Sequence, residues 1–161
     1  MVDPDLLNLK LIEICVKTDS REGVLKRLAR LLIDNGFVKE SYLPAILERE
    51  KQFPTGLPTE GVGVAIPHAD TEHVIKPGIS IATLKEPVIF NVMGSPDEQV
   101  DVSIIFMLAL SDPNMQLELL QNLVQVLQNK ELLLSLTKVK DKSDFINLLK
   151  KHMKIGCSEG I

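Results

Sequence analysis

Apolar residues along this chain switch repeatedly between the period of two that suits a strand and the period of 3.6 that suits a helix. Leu9 to Val16 alternates, with Leu11, Glu13 and Cys15 on one face and Ile12, Ile14 and Val16 on the other, which predicts a first strand. Ser20 can then cap a helix over Arg21–Asp34, whose stripe is Val24, Leu25, Leu28, Leu31 and Leu32 and whose stop is Asn35-Gly36. A second helix is predicted over Ser41–Gln52, with Pro44 tolerated in its first turn. The proline- and glycine-rich stretch Phe53 to Gly61 reads as a structured loop, followed by a short strand that ends at Ile66. Further strands are predicted at Ile79–Leu84, Val88–Val92 and Val100–Leu110, the last apolar enough to be buried. Ser111-Asp112-Pro113 then opens a helix to about Asn129 with Leu117, Leu120, Val124 and Leu127 on its inner face. Two more helices are expected at about Lys130–Thr137 and Lys142–Met153.

This order, one strand, two helices, several short strands and then helices, predicts an α/β sandwich. Its centre should be a mixed β-sheet of about five strands flanked by helices on both faces. The length of 161 residues, with 45% apolar and 25% charged residues, predicts one domain over 1–161, with a core at about 9–153 and a flexible tail at 156–161. No apolar run is long enough to span a bilayer, and the acidic start lacks the features of a secretory signal, so a cytoplasmic protein without membrane insertion is expected. Cys15 and Cys157 have no ligand spacing and read as two reduced thiols. A net charge of −4 with one tyrosine and no tryptophan argues against nucleic acid as a partner.

The chemistry concentrates at the end of the glycine-containing strand, Gly61-Val62-Gly63-Val64-Ala65-Ile66-Pro67-His68. Pro67 fixes its own φ and holds Ile66 extended, so His68 leaves the strand with a restricted orientation. A neutral imidazole held this way can act as a nucleophile near neutral pH. Gly61 and Gly63 admit two readings: a tight bend or bulge, or the close approach of another backbone or an anion.

Together with Arg49-Glu50 and Phe53-Pro54-Thr55-Gly56-Leu57, this segment resembles enzyme IIA of the bacterial sugar phosphotransferase system, in its fructose/mannitol class. The FPTGL loop is most similar to galactitol-type members. The resemblance runs from about Leu9 to Leu149 and implies a phosphotransferase component rather than a complete sugar kinase. His68 would take a phosphoryl group from phospho-HPr on Nε2 and pass it to a cysteine of enzyme IIB, which serves membrane enzyme IIC, during uptake of galactitol or a related polyol. A nitrogen-type regulatory protein, whose phosphorylation controls a partner, is the alternative it leaves open. A bond from the other ring nitrogen to a backbone carbonyl would set the tautomer.

Arg49 is the cation expected to grip phosphate oxygens, since its planar guanidinium suits them; otherwise it solvates its helix between Glu48 and Glu50. Many family members carry a second histidine early in the helix after the buried strand, where this chain has Gln116. Glutamine can donate a hydrogen bond to a phosphoryl oxygen but cannot carry charge. Gly63, Pro67 and His73 complete the expected site contacts. His68, Asp70 and His73 could also suit a metal, but their spacing matches no standard metal-site pattern, so neither metal nor cofactor is expected. The surface around His68 should be shallow and mostly apolar, fit for two protein partners in turn rather than for a sugar.

Overall fold

The computed structural model describes residues 6–153, so the tail at 156–161 and Cys157 lie outside the described residues. The fold is organised around strand β5 (Ser95–Ala109), whose C-terminal half is apolar on both sides. From Ile104 onward its side chains alternate between two cores: Ile104, Phe106, Leu108 and Leu110 enter one, and Ile105, Met107 and Ala109 enter the other. Helices α1 (Arg21–Asp34) and α2 (Tyr42–Gln52) close the second core through Leu25, Leu28, Leu32, Tyr42 and Ile46. Helices α3 (Pro113–Leu127), α4 (Lys130–Lys138) and α5 (Lys142–His152) close the first through Leu119, Leu123, Leu133, Leu136 and Phe145. Each fully buried Leu, Ile or Phe stabilises such a layer by about 1.5–3 kcal/mol relative to exposure. The sheet is therefore covered by helices on both faces, as its two-sided hydrophobicity requires.

The sheet has five strands in mixed orientation. β4 (Gly78–Val92) forms an antiparallel hairpin with β5, Ile79 opposite Leu108 and Ile81 opposite Phe106. β1 (Ile12–Val16) runs parallel to β4 on its other side, and β3 (Gly63–Ala65) runs parallel to β5. The two-residue β2 (Gly56–Leu57), within the segment expected to be loop, pairs antiparallel with β3 and meets the far end of β4 at Val92. Short β3 is thus fixed on both sides, and its exit lies beside Leu108, with the Leu108 N–H donating to the Pro67 carbonyl at 2.9 Å.

Several boundaries and faces differ from the sequence-based expectations. Residues Leu9–Leu11 form a 3-10 turn, because the Asn8 side chain accepts the Lys10 N–H at 2.9 Å and caps it before the strand begins. Within β1, Cys15 takes a φ of 57°, in the left-handed region, and the register slips between Glu13 and Val16. The Cys15 N–H bonds the Thr83 hydroxyl at 2.8 Å, and Val16 consequently joins the core of Leu11 rather than that of Ile12 and Ile14. The segments expected as two strands, Ile79–Leu84 and Val88–Val92, are one strand with an irregularity between Thr83 and Val88, where Pro87 needs no ladder bond. β5 begins at Ser95, earlier than expected, because its polar first half is held as the partner of β4.

The largest correction concerns α3. Leu119, Leu123 and Val126 face the core, whereas Leu117 and Val124, expected inside, are 58% and 48% exposed. Both rows have helical spacing, so the periodicity alone cannot choose between them. Leu120 and Leu127 lie between, partly buried against the core.

Gly63 resolves its two readings at once. A Cβ there would collide with the Asp101 carbonyl of β5, at a point where the β3–β5 register slips, so the glycine serves a close backbone approach at a bulge. Gly63→Ala is expected to destabilise the fold by about 1–3 kcal/mol, read as a lower urea midpoint with an unchanged m-value.

Candidate functional site

His68 lies three residues past the end of β3 and is half-buried, held to the sheet by an isolated bridge to Leu108. The segment is anchored from beneath as well: the buried Tyr42 hydroxyl of α2 donates to the Leu108 carbonyl at 2.7 Å. Because Pro67 has no N–H and constrains Ile66 to an extended backbone, the Ile66 carbonyl stays available to the ring. His68 Nδ1 lies 2.9 Å from that carbonyl oxygen. A carbonyl can only accept, so Nδ1 carries the proton and Nε2 keeps a free lone pair. Among the described residues Nε2 has no hydrogen-bond partner.

Burial lowers the His68 pKa below its ordinary value of 6.5, and the nearby Arg49 charge lowers it further. The bond to Ile66 and the Asp70 charge act in the opposite sense but do not reverse the shift. His68 is therefore a neutral imidazole at neutral pH.

Arg49 comes from the last turn of α2. Its guanidinium carbon lies 5.2 Å from the centre of the Phe53 ring, and Nη1 is 3.5 Å from Asp70. That ion pair is exposed on the Asp70 side and contributes little to stability. Arg49 Nε is buried and has no hydrogen-bond partner among the described residues, so a donor is left unmatched in a residue that lines the same cavity as His68.

A groove of about 480 Å³ opens at this point. His68, Arg49 and Thr55 are its polar border, while Phe53, Leu57, Met93, Leu120, Val124 and Leu127 supply apolar walls. Leu120, Val124 and Leu127 of the row expected to face inward line this groove together with the core residue Leu123, whereas Leu117 does not border it.

Of the other residues singled out by sequence, Pro67 and Gly63 act through the backbone as described. Gln116 lies in the first turn of α3, but its side chain is outside the described residues. His73 sits in a 3-10 turn and its Nδ1 is 2.9 Å from the Ser41 hydroxyl, while its carbonyl accepts the Lys39 N–H. It fastens the connection between α1 and α2 and is bonded to none of the residues that border the groove. Asp112 caps α3 by accepting the Asn114 N–H at 2.9 Å. Among the described residues no group of three His, Cys, Asp or Glu side chains is placed to hold a metal ion, and no helix is long and apolar enough to cross a membrane.

Glu50 went unnoticed as a site residue in the sequence. It is only 3% exposed, and its two carboxylate oxygens accept the Thr55 N–H and hydroxyl, each at 2.8 Å. Burial pushes its pKa up, against the opposing pull of the Thr55 bonds and the Arg21 charge. The available signal was its inward position in the α2 stripe, in register with Tyr42 and Ile46.

Residues 5–152 match the family described as phosphoenolpyruvate-dependent sugar phosphotransferase system, EIIA 2. The fructose-specific EIIABC component of Bacillus subtilis is 30% identical over 155 residues, which are 93% of this chain; the chain spans only 23% of that relative's length. The galactitol-specific EIIA component of Escherichia coli K12 is 30% identical over 112 residues, covering 70% of this chain and 74% of that protein. In fold, the chain is similar to the enzyme IIA of a solution complex of enzyme IIAMTL and phosphorylated enzyme IIBMTL from Escherichia coli. That likeness has a TM-score of 0.74 at 21% identity and covers 90% of this chain and 97% of that one.

A pH titration followed by NMR is expected to give His68 a midpoint below 6.5, with the Nδ1–H tautomer above it. Between that midpoint and 6.5 the unfolded chain binds a proton that folded His68 resists. This residue's contribution to stability is thus complete above 6.5 and is lost as the pH falls; His68→Ala should remove it from the acid limb of the stability curve.

Proposed function

This chain belongs to the EIIA 2 family of the phosphoenolpyruvate-dependent sugar phosphotransferase system, and we propose that it relays phosphoryl groups on Nε2 of His68. The observation that carries this reading is the Nδ1 bond to the Ile66 carbonyl, which leaves a neutral, oriented Nε2 lone pair at the edge of a groove open to partners. The donor in this reading is phospho-HPr and the acceptor is a cysteine of enzyme IIB, which hands the group on with enzyme IIC during uptake of galactitol or a related polyol. The galactitol-specific relative and the FPTGL loop, Phe53 to Leu57, support that choice of substrate.

In the first half-reaction the Nε2 lone pair forms a bond to phosphorus while the bond from phosphorus to the donor breaks, its electron pair leaving with the donor. Nδ1 keeps its proton, and the Ile66 carbonyl stabilises the positive charge that spreads over the ring. In the second half a thiolate of enzyme IIB attacks phosphorus and the N–P electron pair returns to Nε2, restoring the starting tautomer. Phosphoryl transfer of this kind depends on positioning and charge stabilisation. Arg49 supplies the charge: its guanidinium lines the groove with His68, and its Nη1, only loosely paired with Asp70, is a donor for phosphoryl oxygens. The apolar walls of the groove suit protein contact, and both partners must reach the same nitrogen, so their footprints overlap.

Incubation with phosphoenolpyruvate, enzyme I and HPr should place acid-labile phosphate on the wild type and none on His68→Ala; full labelling of that variant would overturn the proposal. Arg49→Ala should slow labelling by about 10²–10³-fold, and Arg49→Lys should recover only part of it, since an ammonium is a point charge without the planar fork. A phosphoprotein that passes its group to no enzyme IIB, yet binds a regulator in only one phosphorylation state, would favour the regulatory reading.

A further inference from the structure

Glu50 is a carboxylate in the protein interior whose hydrogen bonds go to Thr55 rather than to a cation. An apolar side chain would fill this space at less desolvation cost, so the carboxylate is explained by what it holds. Its two bonds fix both the backbone and the side chain of Thr55, in the irregular stretch between α2 and β2. The Thr55 carbonyl in turn accepts the Ile66 N–H at 3.3 Å, and the Ile66 carbonyl is the acceptor for His68 Nδ1 at 2.9 Å. The bond between Thr55 and Ile66 is the longest in this series; it adjoins the pairing of Gly56 with Ala65, and Glu50 anchors the residue that supplies its acceptor.

We propose that Glu50 is a positioning residue for His68, which acts through Thr55 and Ile66 to hold the imidazole as the Nδ1–H tautomer with Nε2 free. Pro67 contributes by keeping Ile66 extended, so that with its N–H tied to Thr55 the Ile66 carbonyl has one direction in which to point. The end of α2 then serves the site twice: Arg49 faces the groove, and the next residue, turned about 100° around the helix, faces inward. The inference rests on His68 as the reacting group; Glu50 touches no phosphate.

Nitrogen-15 NMR of the histidine rings in the full chain, at a pH above the His68 titration, reads the tautomer directly. The wild type and Glu50→Gln, whose amide can still accept from the Thr55 N–H, are expected to show the proton on Nδ1. Glu50→Ala is expected to show a substantial population with the proton on Nε2, and its labelling by phospho-HPr should fall by about ten- to a hundredfold while Glu50→Gln keeps most of the rate. Should Glu50→Ala fail to fold, Glu50→Asp, which withdraws the carboxylate by one methylene, carries the same expectation. A folded Ala or Asp variant with the wild-type tautomer would overturn the proposal. The tautomer measurement needs no phosphoryl donor, so a wild type that HPr cannot label would overturn the carrier reading while leaving the role of Glu50 to be judged on its own.

Discussion

A strand that is apolar on both faces must be covered on both, and β5 imposes that requirement on everything around it. Ile104, Phe106 and Leu108 point to one side and Ile105 and Met107 to the other, all of them at or near full burial. Helices α1 and α2 satisfy one side and α3 to α5 the other, while β4 and β3 satisfy its two hydrogen-bonding edges. The same constraint places the site. β3 is short and follows β5 in parallel, so the chain leaving it at Pro67 emerges next to Leu108, between the C-terminal turn of α2 and the apolar flank of α3.

The electrostatics of that position are a balance struck by geometry. Burial disfavours the imidazolium, and Arg49 reinforces the effect; the Ile66 carbonyl fixes the ring without donating a proton that would block the other nitrogen. A cation stacked on Phe53, with one donor unmatched, favours the arrival of an anion while discouraging protonation of the ring. In the proposed carrier this keeps the unloaded state nucleophilic and the loaded state neutralised. Among the described residues bordering the groove, the cation is Arg49.

Much of the fold was legible because its signals are local. The caps Ser20 and Asp112, the stop at Asn35-Gly36, and the proline in the first turn of α2 are read from neighbouring residues and lie where expected. The misreadings share a different cause. The left-handed Cys15 moves Val16 to another face through a bond to Thr83, nearly seventy residues away. The two rows of α3 are equally periodic, and only the sheet decides that Leu119, Leu123 and Val126 go inside. Glu50 carries no local sign of its role because its partner, Thr55, lies beyond the end of the helix.

The sequence alone determined the helices and their caps, the two-sided sandwich and the strand ending in Pro67-His68, though not β2 or the union of two expected strands in β4, since capping, periodicity and the proline's covalent geometry act over a few residues. It also carried the family resemblance and, with it, the pairing of His68 with Arg49. Tertiary structure decided which nitrogen is free, in which direction burial shifts the ring's pKa, which residues of α3 line the groove and what Glu50 holds. Each of these depends on distances between segments far apart in the chain, and such distances exist only once both layers have closed on β5.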